Sequence, residues 1–346
     1  MHGKPTSARV DREDWQSWAR PLRQAVHAAV HHWYRDHGRV DLPWRRTSDP
    51  YAIYVSEVML QQTQVETVLR RFYAPFLDRF PTIHAIAEAS LEDVLQCWQG
   101  LGYYRRARHL HQASQQCSNG LPNTLDGLLS LPGVGKNTAH AVLCFGHGHP
   151  LAVMEANVKR LIHRWLASPK LPETVLWSVA SWALDDTAPY LYNQAIMDVG
   201  ATICTPTHPS CDLCPFRGWC RGRDDPSSYP ERRDARPVPV RRSGVWVVAH
   251  PDRLGYYAMR PRLEDHLHGC YGFVALPLDD APPGATIVGM VSQSYSHFRH
   301  EVTVWYEIRS ELPAGGWEWK EAEAVPLSGL ERKILEQLKA VSTTPH

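Results

Sequence analysis

Cys204, Cys211, Cys214 and Cys220 follow the spacing C-x6-C-x2-C-x5-C, and this cluster limits the local fold more tightly than any other feature of the chain. Four thiolates within 17 residues can surround one small metal centre, because soft sulfur ligands suit iron–sulfur clusters and zinc alike. Zinc modules usually carry two C-x2-C knuckles, and only Cys211 and Cys214 make one here. The spacing therefore favours a cluster, with zinc as the alternative. A disulfide framework fits poorly, since nothing else suggests secretion. Cys97, Cys117, Cys144 and Cys270 are scattered among mostly uncharged neighbours and read as free, buried thiols.

The chain of 346 residues is 43% hydrophobic and 21% charged, which leaves room for two cores. Its net charge of +1 does not announce nucleic acid, so any DNA footprint must come from local clusters of charge. Met1 to Asp14 is polar and mixed in sign, unlike a signal peptide or presequence. No apolar run approaches the length of a bilayer span. A monomeric protein of the cytoplasm or bacterial nucleoid, with no membrane partner, is the expectation.

From Trp15 to about Cys220 the pattern predicts successive helices. Asp49-Pro50 starts one, with an N-cap acceptor before a proline at the first helical position. Apolar residues at near-helical spacing carry it to Tyr73, and Pro75 marks the expected end. Ser90 and Asp93 resemble a capping box for a helix ending near Gly100. Short helices are expected over 124–130 and 136–144, and an amphipathic one over 157–166. Residues 15–223 form the expected helical domain, followed by a linker at 224–243 rich in proline, serine and arginine. Residues 244–346 form a second, α+β domain. Its expected strands lie near 245–248, 256–259, 271–274 and 302–306, and its closing helix spans 331–341.

Gly133 and Gly135 permit a tight turn whose backbone N–H groups lie at the positive end of the following helix, a ready phosphate site beside Lys136. An ordinary interhelical turn would need the same glycines. The full stretch Leu131-Pro-Gly-Val-Gly-Lys-Asn-Thr-Ala139 resembles the helix-hairpin-helix motif, which binds the DNA backbone without reading sequence. Leu42-Pro-Trp-Arg45, Asp49-Pro-Tyr51, Val55-Ser-Glu-Val-Met-Leu-Gln-Gln-Thr63, Gly100-Leu-Gly-Tyr-Tyr104 and the cysteine loop together resemble the MutY adenine DNA glycosylases. The resemblance runs from about Trp15 to Cys220 and more weakly beyond. It implies an all-α helix-hairpin-helix domain with a [4Fe-4S] cluster, followed by an α+β Nudix-like domain. It also implies removal of adenine mispaired with 8-oxoguanine or guanine in double-stranded DNA. Endonuclease III resembles the chain less well, because it carries lysine where this chain has Asn137.

Glu57 lies in a largely apolar helical stretch, where desolvation raises a carboxyl pKa and suits it to donate a proton near neutral pH. The resemblance implies that it protonates the purine at N7. Breaking an N-glycosidic bond builds positive charge on the sugar, which a second carboxylate stabilises. Where the family has aspartate-glycine-asparagine, this chain has Glu155-Ala-Asn157. That adds one methylene at a place where errors of ~1 Å cost roughly 100-fold in rate. Asn137 and Val40 also depart from the family, Val40 standing before Leu42, Trp44 and Arg45 at the base pocket. Lys159 is the nearest candidate amine for a Schiff base, though a surface lysine is the plainer reading.

By the same resemblance, Gln61, Gln62, Tyr103 and Tyr104 are candidates to fill the duplex after base flipping. Arg105, Arg106 and Arg108, with Arg217 and Arg221, form clusters that could face phosphates. Gln293-Ser-Tyr-Ser-His-Phe298 resembles the family's 8-oxoguanine-reading loop, with Tyr295 in place of phenylalanine and Ser296 and His297 retained. The second domain lacks a glutamate-rich Nudix box, so recognition without hydrolysis is expected. His27 and His31, four apart, lack a clear third ligand in sequence and read as a surface pair. Two rival functions remain: an offshoot that removes another base or acts as a lyase through Lys159, and a non-catalytic lesion-binding protein.

Overall fold

The computed structural model describes residues 14–231, 237–264, 266–278 and 280–342. The chain packs as two compact units, Met1–Glu57 with Leu121–Asp234 and Val58–Gly120 with Ala235–His346. The first half is helical and the second carries a mixed sheet, as expected. The packing division nevertheless falls inside the stretch that sequence alone marks as one helical domain. Residues 232–236 of the expected linker lie outside the described residues.

The first unit contains α1 (Asp14–Ala19), α2 (Arg23–His37) and most of α3 (Pro50–Leu60). After an excursion into the second unit, it resumes with α9 (Leu125–Leu129), α10 (Lys136–His147), α11 (Ala156–Trp165), α12 (Glu173–Ala183) and α13 (Pro189–Asp198). A π turn, Val199–Ile203, leads from α13 into the cysteine loop. Buried Trp15, Trp165 and Phe216, with partly buried Trp182, form an aromatic cluster that seats this loop on the helices. Arg164 ties it further, donating to Thr205 O at 2.7 Å, Pro206 O at 3.1 Å and Pro226 O at 2.9 Å.

The second unit opens with the last turn of α3, then α4 (Val65–Arg71), α5 (Tyr73–Arg79), α6 (Ile83–Glu88), α7 (Leu91–Cys97) and α8 (Arg105–Ser114). The expected continuous helix to Tyr73 breaks after Leu60, where Gln62 adopts φ 57°. Pro75 does not end a helix. It sits in the first turn of α5, where a missing N–H costs nothing. Ser90 caps α7 as expected: Asp93 N donates to Ser90 Oγ at 3.1 Å, and Ser90 Oγ donates to Asp93 Oδ2 at 2.6 Å.

The sheet comprises β1 (Val240–Ala249), β2 (Tyr256–Pro261), β3 (Tyr271–Gly272), β4 (Val274–Leu276), β5 (Thr286–Ser294), β6 (Arg299–Ile308) and β7 (Glu318–Glu321). Its order is β3-β2-β1-β6-β5, with β4 on β1 and β7 on β2. β1 and β6 run parallel from Val240↔Arg299 to Ala249↔Ile308, and the other pairs are antiparallel. Alternation buries Val245, Val247, Val302 and Val304 against Leu330 and Ile334 of α14 (Gly329–Ser342). Strands β5 and β7 escape the sequence reading, because β5 exposes Ile287 and Met290 and so lacks a clean two-residue period. β1 begins inside the expected linker.

Within this unit the sheet domain bonds to the helices. Tyr104 Oη donates to Leu327 O at 2.8 Å, Leu327 N to Gln99 Oε1 at 2.8 Å, and Arg108 to His268 O at 3.2 Å. Among the described residues no helix is long and apolar enough to cross a membrane. Replacing Ser90 by alanine removes the cap of α7 and is expected to lower stability by ~1 kcal/mol, read as a shifted midpoint in urea unfolding with an unchanged slope.

Candidate active site

The first unit brings two carboxyls together. Glu57 is on α3, and Glu155 is the N-cap of α11 with an extended backbone, φ −87° and ψ 179°. Glu155 does not cap its own helix. Its Oε1 instead accepts from Asn157 Nδ2 at 2.9 Å, and Asn157 Oδ1 accepts from Arg160 Nη2 at 2.9 Å. Burial pushes Glu57 up to about 8, the neighbouring charge of Glu155 adds to the rise, and Arg45 opposes it. Burial also raises Glu155, but Asn157, Arg39, Arg160 and Arg45 all pull against that rise.

Arg45 and Arg39 are in turn bound by Asp198, fully buried at the end of α13. It accepts Arg45 through both guanidinium nitrogens at 2.6 and 2.8 Å, Arg39 N at 2.9 Å and Arg39 Nε at 2.6 Å. These bonds and charges hold its carboxyl below the usual range despite burial.

The segment before Glu155 has no strand partner, so side chains satisfy its backbone. Asn193 Nδ2 donates to Leu151 O at 2.9 Å and its Oδ1 accepts from Val153 N at 2.9 Å. The His140 ring bonds Ala152 O at 2.7 Å, and Asn137 Oδ1 accepts from Met154 N at 2.7 Å. Asn137, which departs from the family pattern, thus holds the backbone one residue before Glu155. Asp198, Arg39, Arg160 and Asn193 were missed in sequence. A lone aspartate or asparagine in an apolar helix was the one available signal.

Leu42 and Trp44 are buried, Arg45 is committed to Asp198, and Val40 is exposed. Lys159 pairs with Glu173 at 2.7 and 2.9 Å. Gly133 has φ 75°, Gly135 has open space where a Cβ would stand, and no side chain caps α10 there. Lys136 is exposed, its amine 4.1 Å from the Trp177 ring centre. Cys204, Cys211, Cys214 and Cys220 all line one small cavity with Arg164, and among the described residues no three His, Cys, Asp or Glu side chains form a single-ion site. Arg217 and Arg221 are exposed beside that loop. His27 and His31 lie 3.7 and 3.6 Å from Asp185, a third group that sequence did not supply.

In the second unit, Gln61 is half-buried while Gln62 and Tyr103 are exposed, the latter two with positive φ. Tyr104 is a correction: it is buried, and its hydroxyl serves Leu327, so it is not free to stack on a base. Arg106 and Arg108 are corrections too, since both are buried on carbonyl oxygens and only Arg105 of that cluster is exposed. Ser296 and His297 are exposed at a tight turn closed by Tyr295 N to Phe298 O at 2.8 Å. The Tyr295 ring stacks on Phe298 at 4.7 Å, and Ser296 Oγ lies 3.4 Å from Tyr103 Oη.

The HhH-GPD superfamily base excision DNA repair profile matches residues 55–178. The adenine DNA glycosylase of Mycolicibacterium smegmatis is 38% identical over 214 residues, 60% of this chain and 71% of that one. The chain belongs to the MutY family. The adenine DNA glycosylase of Buchnera aphidicola subsp. Baizongia pistaciae is 38% identical over 196 residues, 55% of this chain, and the match spans just over half of that relative, 56%. A thermostable thymine-DNA glycosylase structure superposes with a TM-score of 0.56 at 26% identity, over 60% of this chain and 98% of that one. The helical fold of this MutY family member is thus shared with a glycosylase of another named base.

Glu57 has an ordinary value of 4.5 and a folded value of about 8. Between these the folded state holds a proton that the unfolded chain has released. Its contribution to stability is complete below 4.5 and lost as pH rises through 8. Glu57→Gln removes that loss, so the variant should melt above the wild type near pH ~9, with the gap closing below pH ~5. Thermal unfolding across this range checks it.

Proposed function

We propose that this protein is an adenine DNA glycosylase that hydrolyses the N-glycosidic bond of adenine paired with 8-oxoguanine. The observation that carries the reading is that Glu57, raised to about 8 by burial, is raised further by the charge of neighbouring Glu155. A carboxyl protonated at neutral pH can donate to the departing purine at N7. The second carboxylate, held by Asn157 and faced by three guanidinium groups, is better able to ionise and offset the cationic sugar. The pair gives a bell-shaped rate profile, falling on the alkaline side as Glu57 loses its proton.

Around that chemistry the remaining residues take binding roles. The turn at Gly133–Gly135, with the uncapped start of α10 and exposed Lys136, suits a DNA phosphate. Gln62 and Tyr103, exposed on tight turns, fill the space an extruded base leaves. Ser296 and His297 offer hydrogen-bond partners to 8-oxoguanine in the opposite strand, and Ser296 already lies against Tyr103. The lyase alternative loses support, because Lys159 is held by Glu173.

The cysteine cavity suits a [4Fe-4S] cluster. Such a cluster takes one thiolate at each iron, which matches four thiols spread around a cavity, and it would order the loop for phosphate contact. Iron and acid-labile sulfide should co-purify with the protein and be lost from Cys214→Ser, whatever its activity.

Single-turnover release of adenine from an 8-oxoguanine:adenine duplex tests the function. Glu57→Gln should abolish release. Glu155→Asp should slow it about tenfold or more, since the clamped backbone cannot follow a carboxylate withdrawn by one methylene. An inactive wild type, or an active Glu57→Gln, overturns the reading. A Glu155→Asp variant as fast as the wild type overturns the role of the longer side chain alone.

A further inference from the structure

Gln62 and Tyr103 share an unusual backbone state, with φ 57° and 50°, in turns more than forty residues apart in sequence. Left-handed backbone is disfavoured for side chains of this size and persists where the surroundings fix it. Both turns converge on the guanidinium of Arg106, which is 8% exposed. Its Nη1 donates to Val58 O at 2.9 Å, Met59 O at 2.7 Å and Gln61 O at 2.5 Å. Its Nη2 donates to Thr63 Oγ1 at 3.1 Å, Gly102 O at 3.0 Å and Leu101 O at 3.5 Å. Val58 and Met59 supply otherwise unpaired carbonyls of the last turn of α3, where a cation also meets the negative end of the helix. The other acceptors flank Gln62 on one side and lead into Tyr103 on the other. The same guanidinium lies 5.3 Å from the Tyr103 ring centre and 5.4 Å from that of Trp98.

We propose that Arg106 is a positioning residue that presets Gln62 and Tyr103 as a rigid two-part wedge for base extrusion. This rests on the glycosylase reading of the preceding subsection. Arg106 itself is buried and acts only through the two side chains it supports. Gln62 and Tyr103 belong to different loops, so without a shared anchor each would have to be ordered separately when the duplex is entered, slowing extrusion. Lysine does not replace it, because a single ammonium cannot span the two turns as the planar fork of the guanidinium does.

The test uses the full-length protein and two DNAs, one with adenine paired to 8-oxoguanine and one with the adenine in a single-base bulge, already unstacked. Arg106→Lys should slow single-turnover release about tenfold or more from the pair and less than about threefold from the bulge, because only the paired base must be displaced. In a Gln62→Ala/Tyr103→Ala background, Arg106→Lys should cost nothing further. Equal losses on both DNAs, or additive losses in that background, overturn the proposal and leave a general structural role. Should Arg106→Lys fail to fold, Thr63→Val removes one acceptor and should show the same preference for the paired substrate, and equal losses again overturn it. Fluorescence of 2-aminopurine at the target position separates this proposal from the function it rests on. A rise on binding wild type that Arg106→Lys lacks supports the wedge even where no adenine is released. A rise of equal size in both, or none with the wild type, overturns it.

Discussion

The ion pairs of buried Asp198 with Arg45 and Arg39 set the electrostatics on which Glu57 and Glu155 depend. Asp198 has no exposed surface and the Arg45 side chain is 3% exposed, so Arg45 would be an uncompensated buried charge without Asp198. Their mutual bonds leave Arg39 and Arg45 still acting on Glu155, joined there by Arg160. Glu57 feels Arg45 less than it feels desolvation and Glu155. One set of cations therefore acts unequally on two acids, and that inequality separates a proton donor from a charge stabiliser.

The backbone that carries Glu155 is held by other groups. Residues 151–154 run extended without a sheet, and their backbone groups are met by Asn193, His140 and Asn137 from two helices. On the far side Gly200 lets the π turn approach α11 so closely that an added Cβ would stand 2.7 Å from that of Asn157. The start of α11 is thereby fixed between the clamped segment and the π turn. Arg160 joins the two, donating to Gly200 O at 2.6 Å and to Asn157 Oδ1.

What the sequence disclosed follows from the range of each interaction. The cap at Ser90, the glycine turn at 133–135, the alternation of β1 and β6 and the apolar setting of Glu57 are written in neighbouring residues. The break after Leu60 and the burial of Arg106 are not, because the guanidinium answers carbonyls more than forty positions earlier. A basic run reads as a phosphate-facing surface until the acceptors that bury it are known. Asp198 was illegible for the same reason, its partners lying about 150 residues upstream.

Glu155 shows how one departure from a family pattern can be absorbed. With the backbone on both sides held, the added methylene is taken up by the side chain, whose end Asn157 holds. An N-cap aspartate would turn its carboxylate toward the first turn of α11. Glutamate makes no such cap here, and α11 begins instead on the clamped segment and the close contact at Gly200. The carboxylate is thus released from a structural duty, while burial raises its pKa and Asn157 with three arginines oppose that rise. The substitution moves helix-starting work from the acid to its surroundings, and the acid is left to face Glu57.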